Sequence, residues 1–131
     1  MSSDKIQPHR PKIERALLGD ILIDESVLEN VQSIIEPDSF YRTENKIIYE
    51  AILDLKQEGK KIDQVSVVDR ALSMHPNHHN PSDIIVRTAE YAGETVSAFN
   101  AEHHAIQLRD AHDRRTYLRG LIWAKDRDWE T

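Results

Sequence analysis

The sequence has no cysteine among its 131 residues. That absence excludes a disulfide framework, a thiolate zinc site and a cysteine nucleophile. Glycine is scarce: Gly19, Gly59, Gly93 and Gly120 are the four, and no two are closer than 27 positions. A phosphate-cradling P-loop needs two glycines five apart, and a dinucleotide fingerprint needs three close together, so neither nucleotide site can be written here. No apolar run approaches the length that spans a bilayer. The opening Met1-Ser2-Ser3-Asp4-Lys5 lacks the apolar core of a signal peptide, so the expected location is cytoplasmic. A basic excess is missing too. Seventeen Lys and Arg face 23 Asp and Glu, a net charge of −6, and a general nucleic-acid-binding surface is not expected.

What remains is ordinary globular material, 39% hydrophobic and 31% charged. The length gives one domain with room for a small appendage, and a chain of this size buries enough surface to need no covalent staple. The expected fold class is all-α, with six or seven helices. Residues 1–11 are expected as a disordered lead-in, 12–98 as a compact helical head, and 99–131 as one long helix. Pro11 opens the first helix, whose apolar face is Ile13, Ala16, Leu17, Ile21 and Leu22, with Glu14, Arg15 and Asp20 outside it. Ser26 and Glu29 read as a capping box for a second helix through Val27, Leu28, Val31, Ile34 and Ile35. Thr43 is expected to cap a third, carrying Ile47, Ile48, Ala51, Ile52 and Leu55, and Gly59 to stop it. Ser66 with Asp69 is expected to start a fourth, with Asp63 before it expected to cap a turn or that helix. Met74–Ser82 reads as a loop, followed by a short helix over 83–91 and a break over 93–98. The last helix runs from about Asn100 to Asp128, its stripe formed by Ala101, Ala105, Leu108, Ala111, Leu118 and Ile122, with Arg115 inside it. No segment alternates long enough to demand a strand; Val65–Val68 is the best candidate.

Charge is uneven. Residues 1–108 carry 11 positive and 18 negative side chains, whereas 109–131 carry six and five. The terminal helix is thus a different kind of surface, and it ends in Trp123 and Trp129, residues of a type that anchors interfaces.

Chemistry finds little purchase. His75, His78 and His79 share one loop, but no carboxylate or thiolate lies close by in sequence, and no metal site is expected. His103 and His104 are adjacent and face different directions on a helix; His104 and His112 lie two turns apart. These read as surface or interface histidines. The His112-Asp113 doublet occurs in all-α metal-dependent phosphohydrolases, yet Arg114 and Arg115 follow it and would oppose a metal electrostatically. Asp20 with Asp24, and Glu50 with Asp54, read as solvated pairs. No catalytic residue is expected.

One ordered segment is more specific than its composition. Phe40-Tyr41-Arg42 is followed by Asn45, by Ile48-Tyr49-Glu50-Ala51-Ile52, by Leu55, by Gly59-Lys60-Lys61-Ile62-Asp63, and by Val65-Ser66-Val67 leading to Leu72. This resembles the N-terminal domain of the DnaB-type replicative DNA helicase. Ile13 to Gly19 is similar to the family's opening helix, and Asn100 and Arg115 sit where its long helix starts and continues. Phe40, Tyr41, Ile48, Ile52, Leu55, Gly59, Ile62, Asp63 and Leu72 carry the signature as structural residues. Asn45 stands where the family usually has histidine, and His103-His104 where aromatics are common.

The resemblance implies a non-catalytic helical head followed by the first arm of a helical hairpin. The family's second hairpin helix, linker and ATPase would be absent, so no cofactor is expected here; ATP and magnesium belong to that motor. Hairpins pair subunits into a hexameric collar that docks the C-terminal domain of primase, with a helicase loader as a further partner. Direct DNA binding and membrane binding are not expected. On this reading the self-association or partner face comprises Leu108, Arg115, Tyr117, Leu118, Leu121, Ile122 and Trp123. The alternatives are a stand-alone helical adaptor that binds primase or helicase, and the phosphohydrolase.

Overall fold

The computed structural model describes residues 10–128, with side chains as far as Leu121. The lead-in expected over residues 1–11 thus falls almost wholly outside the described residues. Those described form six α-helices and no strand: α1 (Pro11–Ile23), α2 (Leu28–Val31), α3 (Thr43–Gln57), α4 (Gln64–Met74), α5 (Pro81–Glu94) and α6 (Ala101–Asp128). The all-α expectation is met, and Val65–Val68 lies within α4.

The helices begin and end where local chemistry allows. Pro11 occupies the first position of α1, where its missing N–H costs nothing. Gly59 follows α3 with φ +69°, the left-handed turn that glycine enters without strain. Asp63, not Ser66, caps α4: its carboxylate accepts the Ser66 amide at 2.8 Å, and the Ser66 hydroxyl accepts the Asp63 amide at 3.1 Å. The Ser66 amide and hydroxyl, both donating to Asp63 Oδ1, hold the Asp63 carboxyl below its ordinary value. Asn80 caps α5 through the Asp83 amide.

Two expected caps are not formed. Thr43 is already helical, with Arg42 at the cap position and no side-chain cap bond. Ser26 does not open a long second helix. Asp24 instead accepts the Ser26 amide at 3.1 Å and its hydroxyl at 2.6 Å, tightening residues 25–27 into a 3₁₀ turn before the single turn of α2.

The core joins all these elements. Leu17, Leu18, Ile21, Leu28, Val31, Phe40, Ile48, Ile52, Val67, Ile84 and Leu108 are fully buried. The signature residues Phe40, Ile48, Ile52, Leu55 and Ile62 are buried, while Tyr41 and Leu72 are half-buried. Helix α1 runs through the middle, packed against α5 and α6 and touching α3. Its approach to α5 is close enough that a Cβ on Gly19 would stand 1.9 Å from Thr95 Oγ1 and 2.5 Å from the Tyr91 carbonyl oxygen.

That enclosure overturns part of the expected face of α1. Glu14 and Asp20 are not outside it; each is only 1% exposed. A helix covered from several sides buries more than one stripe, and these carboxylates are buried with partners.

Candidate functional site

The residues that reasoning from sequence gathered as a partner face all lie on α6, and the structure divides them. Ala101, Ala105, Leu108, Ala111 and Arg115 are buried against the head, at spacings of three and four that follow one face of a helix. Small side chains along this seam let α6 lie close to α1. Leu108 is therefore core and unavailable to a partner, which corrects its place in the expected face.

Arg115 is corrected in the same way. It is 2% exposed and engaged within its own chain. Its Nη2 donates to the Ser39 carbonyl at 3.0 Å, and its guanidinium lies 5.3 Å from the centre of the Tyr41 ring. Burial lowers its pKa, and the nearby Glu14 carboxylate opposes that shift. The reach of a long cationic side chain back to the loop before α3 explains why an arginine occupies an apolar stripe.

Glu14 organises the surroundings. Its Oε2 accepts the Tyr41 amide at 2.7 Å, and its Oε1 accepts from Asn45 Nδ2 at 2.7 Å and from the Arg42 amide at 3.5 Å. Asn45 Oδ1 then accepts the Tyr91 hydroxyl at 2.7 Å, and Arg87 donates to Tyr91 and Asp83. One polar chain thus crosses α1, α3 and α5. Sequence reasoning missed it. The available signal was Glu14 standing one turn before Leu17 and Leu18, on the face they bury.

A second lock ties α6 to α1. His104 Nδ1 lies 2.7 Å from Asp20 Oδ2. Burial raises the Asp20 carboxyl, and the His104 contact partly offsets that. Asp20 is thus not a solvated carboxylate, and His104 is not a surface histidine, whereas His103 is exposed.

Beyond Arg115 the helix changes character. Among the described side chains from 116 to 121 none is buried. Tyr117 is 67% and Leu121 48% exposed, four residues apart on one face, and Leu118 is half-buried. The side chains of Ile122 and Trp123, and all of Trp129, lie outside the described residues. His112 is half-buried and Asp113 exposed; neither belongs to a group of three potential metal ligands among the described residues. Nor do the described residues include a helix long and apolar enough to cross a membrane.

Comparison with known proteins agrees with this architecture. Residues 6–110 match the family described as "DnaB-like helicase N terminal domain". The replicative DNA helicase DnaB of Treponema pallidum is 31% identical over 118 residues, covering 88% of this chain and 26% of the relative. The chain thus spans about a quarter of that relative's length. The N-terminal domain of DnaB helicase from Mycobacterium tuberculosis superposes with a TM-score of 0.85 at 22% identity, covering 94% of this chain and 88% of that one. That from Helicobacter pylori, described together with its interactions with primase, gives 0.74 at 23% identity, covering 98% and 94%. At such identities the two structures speak for the fold, while the match over residues 6–110 speaks for descent: the chain belongs to the family of DnaB-like helicase N-terminal domains.

Proposed function

We propose that this domain is a non-catalytic assembly and docking module of a replicative DNA helicase. In this reading the outer part of α6 pairs with a second copy. The head then docks the C-terminal domain of primase, and a helicase loader is a further candidate partner. Unwinding chemistry, with its ATP and magnesium, is assigned to other parts of such a helicase. DNA is not assigned to this surface, in keeping with the acidic balance of residues 1–108.

The observation that carries the reading is the uncovered face at Tyr117 and Leu121, on the same helix whose inner part is locked to the head. Covering one such side chain stabilises association by roughly 1.5–3 kcal/mol. Leu118 is assigned to the same face.

Sedimentation velocity over a range of concentrations tests the assembly half. Concentration-dependent dimerisation is expected. Leu121→Asp is expected to weaken it at least about tenfold, the equivalent of ~1.4 kcal/mol, with the helical circular dichroism unchanged. A chain that stays monomeric throughout overturns that half. Calorimetric titration with a primase C-terminal domain tests docking, and no binding overturns it.

A further inference from the structure

His75, His78 and His79 lie in the loop over 75–80, between α4 and α5. From sequence they lacked a neighbouring carboxylate, and on that ground no metal site was expected. The fold removes that ground. The first turn of α3 brings Glu44 against the loop, with its Oε2 3.3 Å from His78 Nε2. The His79 ring stacks on His78, centroids 4.6 Å apart and planes at 27°. One ligand atom from each of Glu44, His78 and His79 lies within 4.8 Å of the other two.

Arg42 Nε lies 3.3 Å from the other Glu44 oxygen, Oε1, which orients the carboxylate and leaves Oε2 for the imidazoles, while its positive charge opposes a bound cation and weakens the site. The side chains of Glu44 and His78 are largely covered and that of His79 is exposed, so two partners are positioned and the third borders solvent. A cleft of about 490 Å³ beside His78 also contains His75 and Glu50, themselves 3.5 Å apart.

We propose that Glu44, His78 and His79 form a binding site for a divalent transition metal of the zinc class, clamping the α4–α5 loop to the start of α3. Two imidazole nitrogens and one carboxylate oxygen suit such an ion better than magnesium or calcium, which favour all-oxygen sets. Three protein ligands leave a fourth position for water. Zinc bonds of roughly 2.0–2.2 Å place tetrahedral ligands about 3.3 Å apart, so the ligand atoms must draw in by up to about 1.5 Å and one of the two stacked imidazoles must turn, because lone pairs of nearly parallel rings do not converge on one ion.

The proton balance is simple. His78 Nδ1 now accepts the Asn80 amide at 3.0 Å, which puts the ring proton on Nε2, facing Glu44. Metal at Nε2 moves that proton to Nδ1 and releases the Asn80 amide, which is in an exposed residue and can bond water. No net proton is lost by a neutral ring. The surrendered amide bond makes this a weaker site than a closed four-ligand one.

Isothermal titration of the chelator-stripped 131-residue chain with zinc chloride tests the proposal. One equivalent is expected, saturating in the micromolar range, with a rise in melting temperature. His79→Gln, at an exposed position that spares the fold, and Glu44→Gln are each expected to weaken uptake at least about tenfold and to abolish the thermal shift. His103→Gln is expected to change neither. Absence of zinc uptake overturns the proposal. So does uptake that survives both Glu44→Gln and His79→Gln, or that is lost in His103→Gln.

Discussion

From Ala101 to Arg115, α6 turns a continuous seam toward the head and is fastened there by His104 on Asp20 and Arg115 on the Ser39 carbonyl. From Thr116 to Leu121 the same helix has no buried side chain. Helices in proteins owe most of their stability to packing of an apolar face, not to propensity. The inner part meets that condition within the chain. The outer part does not, and it contains Thr116, Tyr117 and Gly120, none a strong helix former. It also exposes two large side chains, Tyr117 and Leu121. One helix therefore has a packed stretch and an uncovered one among its described side chains, with Arg115 at the boundary.

The sharpest way to break this division is at Leu108. If the inner part is core, Leu108→Ala should cost about 2–5 kcal/mol, the range for a fully buried leucine. Urea denaturation followed by circular dichroism measures it, and a loss under ~1 kcal/mol would return Leu108 to a partner surface. Arg115→Met probes the boundary itself. The methionine keeps much of the buried stem but takes a donor from the Ser39 carbonyl and the cation from the Tyr41 ring and Glu14. A loss of about 1–3 kcal/mol is expected in the same assay. A neutral result would mean that the desolvation cost of the buried guanidinium already cancels its bonds.

The sequence made the helices and the signature core legible because both rest on local spacing. Ile48, Ile52 and Leu55 announce one buried face, and Gly59 announces a left-handed turn. The errors share a different cause. Glu14, Asp20 and Arg115 are charged: periodicity placed the carboxylates outside and the arginine within an apolar stripe, and the family resemblance then assigned that arginine to a partner face. Their burial depends on donors and acceptors 27 or more positions away: the Tyr41 amide, Asn45 and His104 for the carboxylates, and the Ser39 carbonyl for the arginine. The proximity of Glu44 to His78 is likewise a tertiary fact, since 34 positions separate them. The capping error at Ser26 was local and subtler. Asp24, Ser26 and Glu29 all suit a helix start, and it is the short Asp24 side chain that takes the Ser26 amide and closes a tighter turn.

The smallest expected effect is also the most discriminating for the outer part. Tyr117 is 67% exposed, so Tyr117→Ser in dilute protein should alter stability by under about 0.5 kcal/mol. A partner that binds only the folded form adds stability as its concentration rises above the dissociation constant. If that partner is a second copy, the melting temperature of the wild-type chain should climb with its own concentration and that of the variant should climb less. Scanning calorimetry at two concentrations about a hundredfold apart reads this difference. Parallel curves for the two proteins would mean that self-association, if present, bypasses Tyr117. A large loss already in dilute protein would mean that the outer part is packed on its own head, and the division at Arg115 would fall.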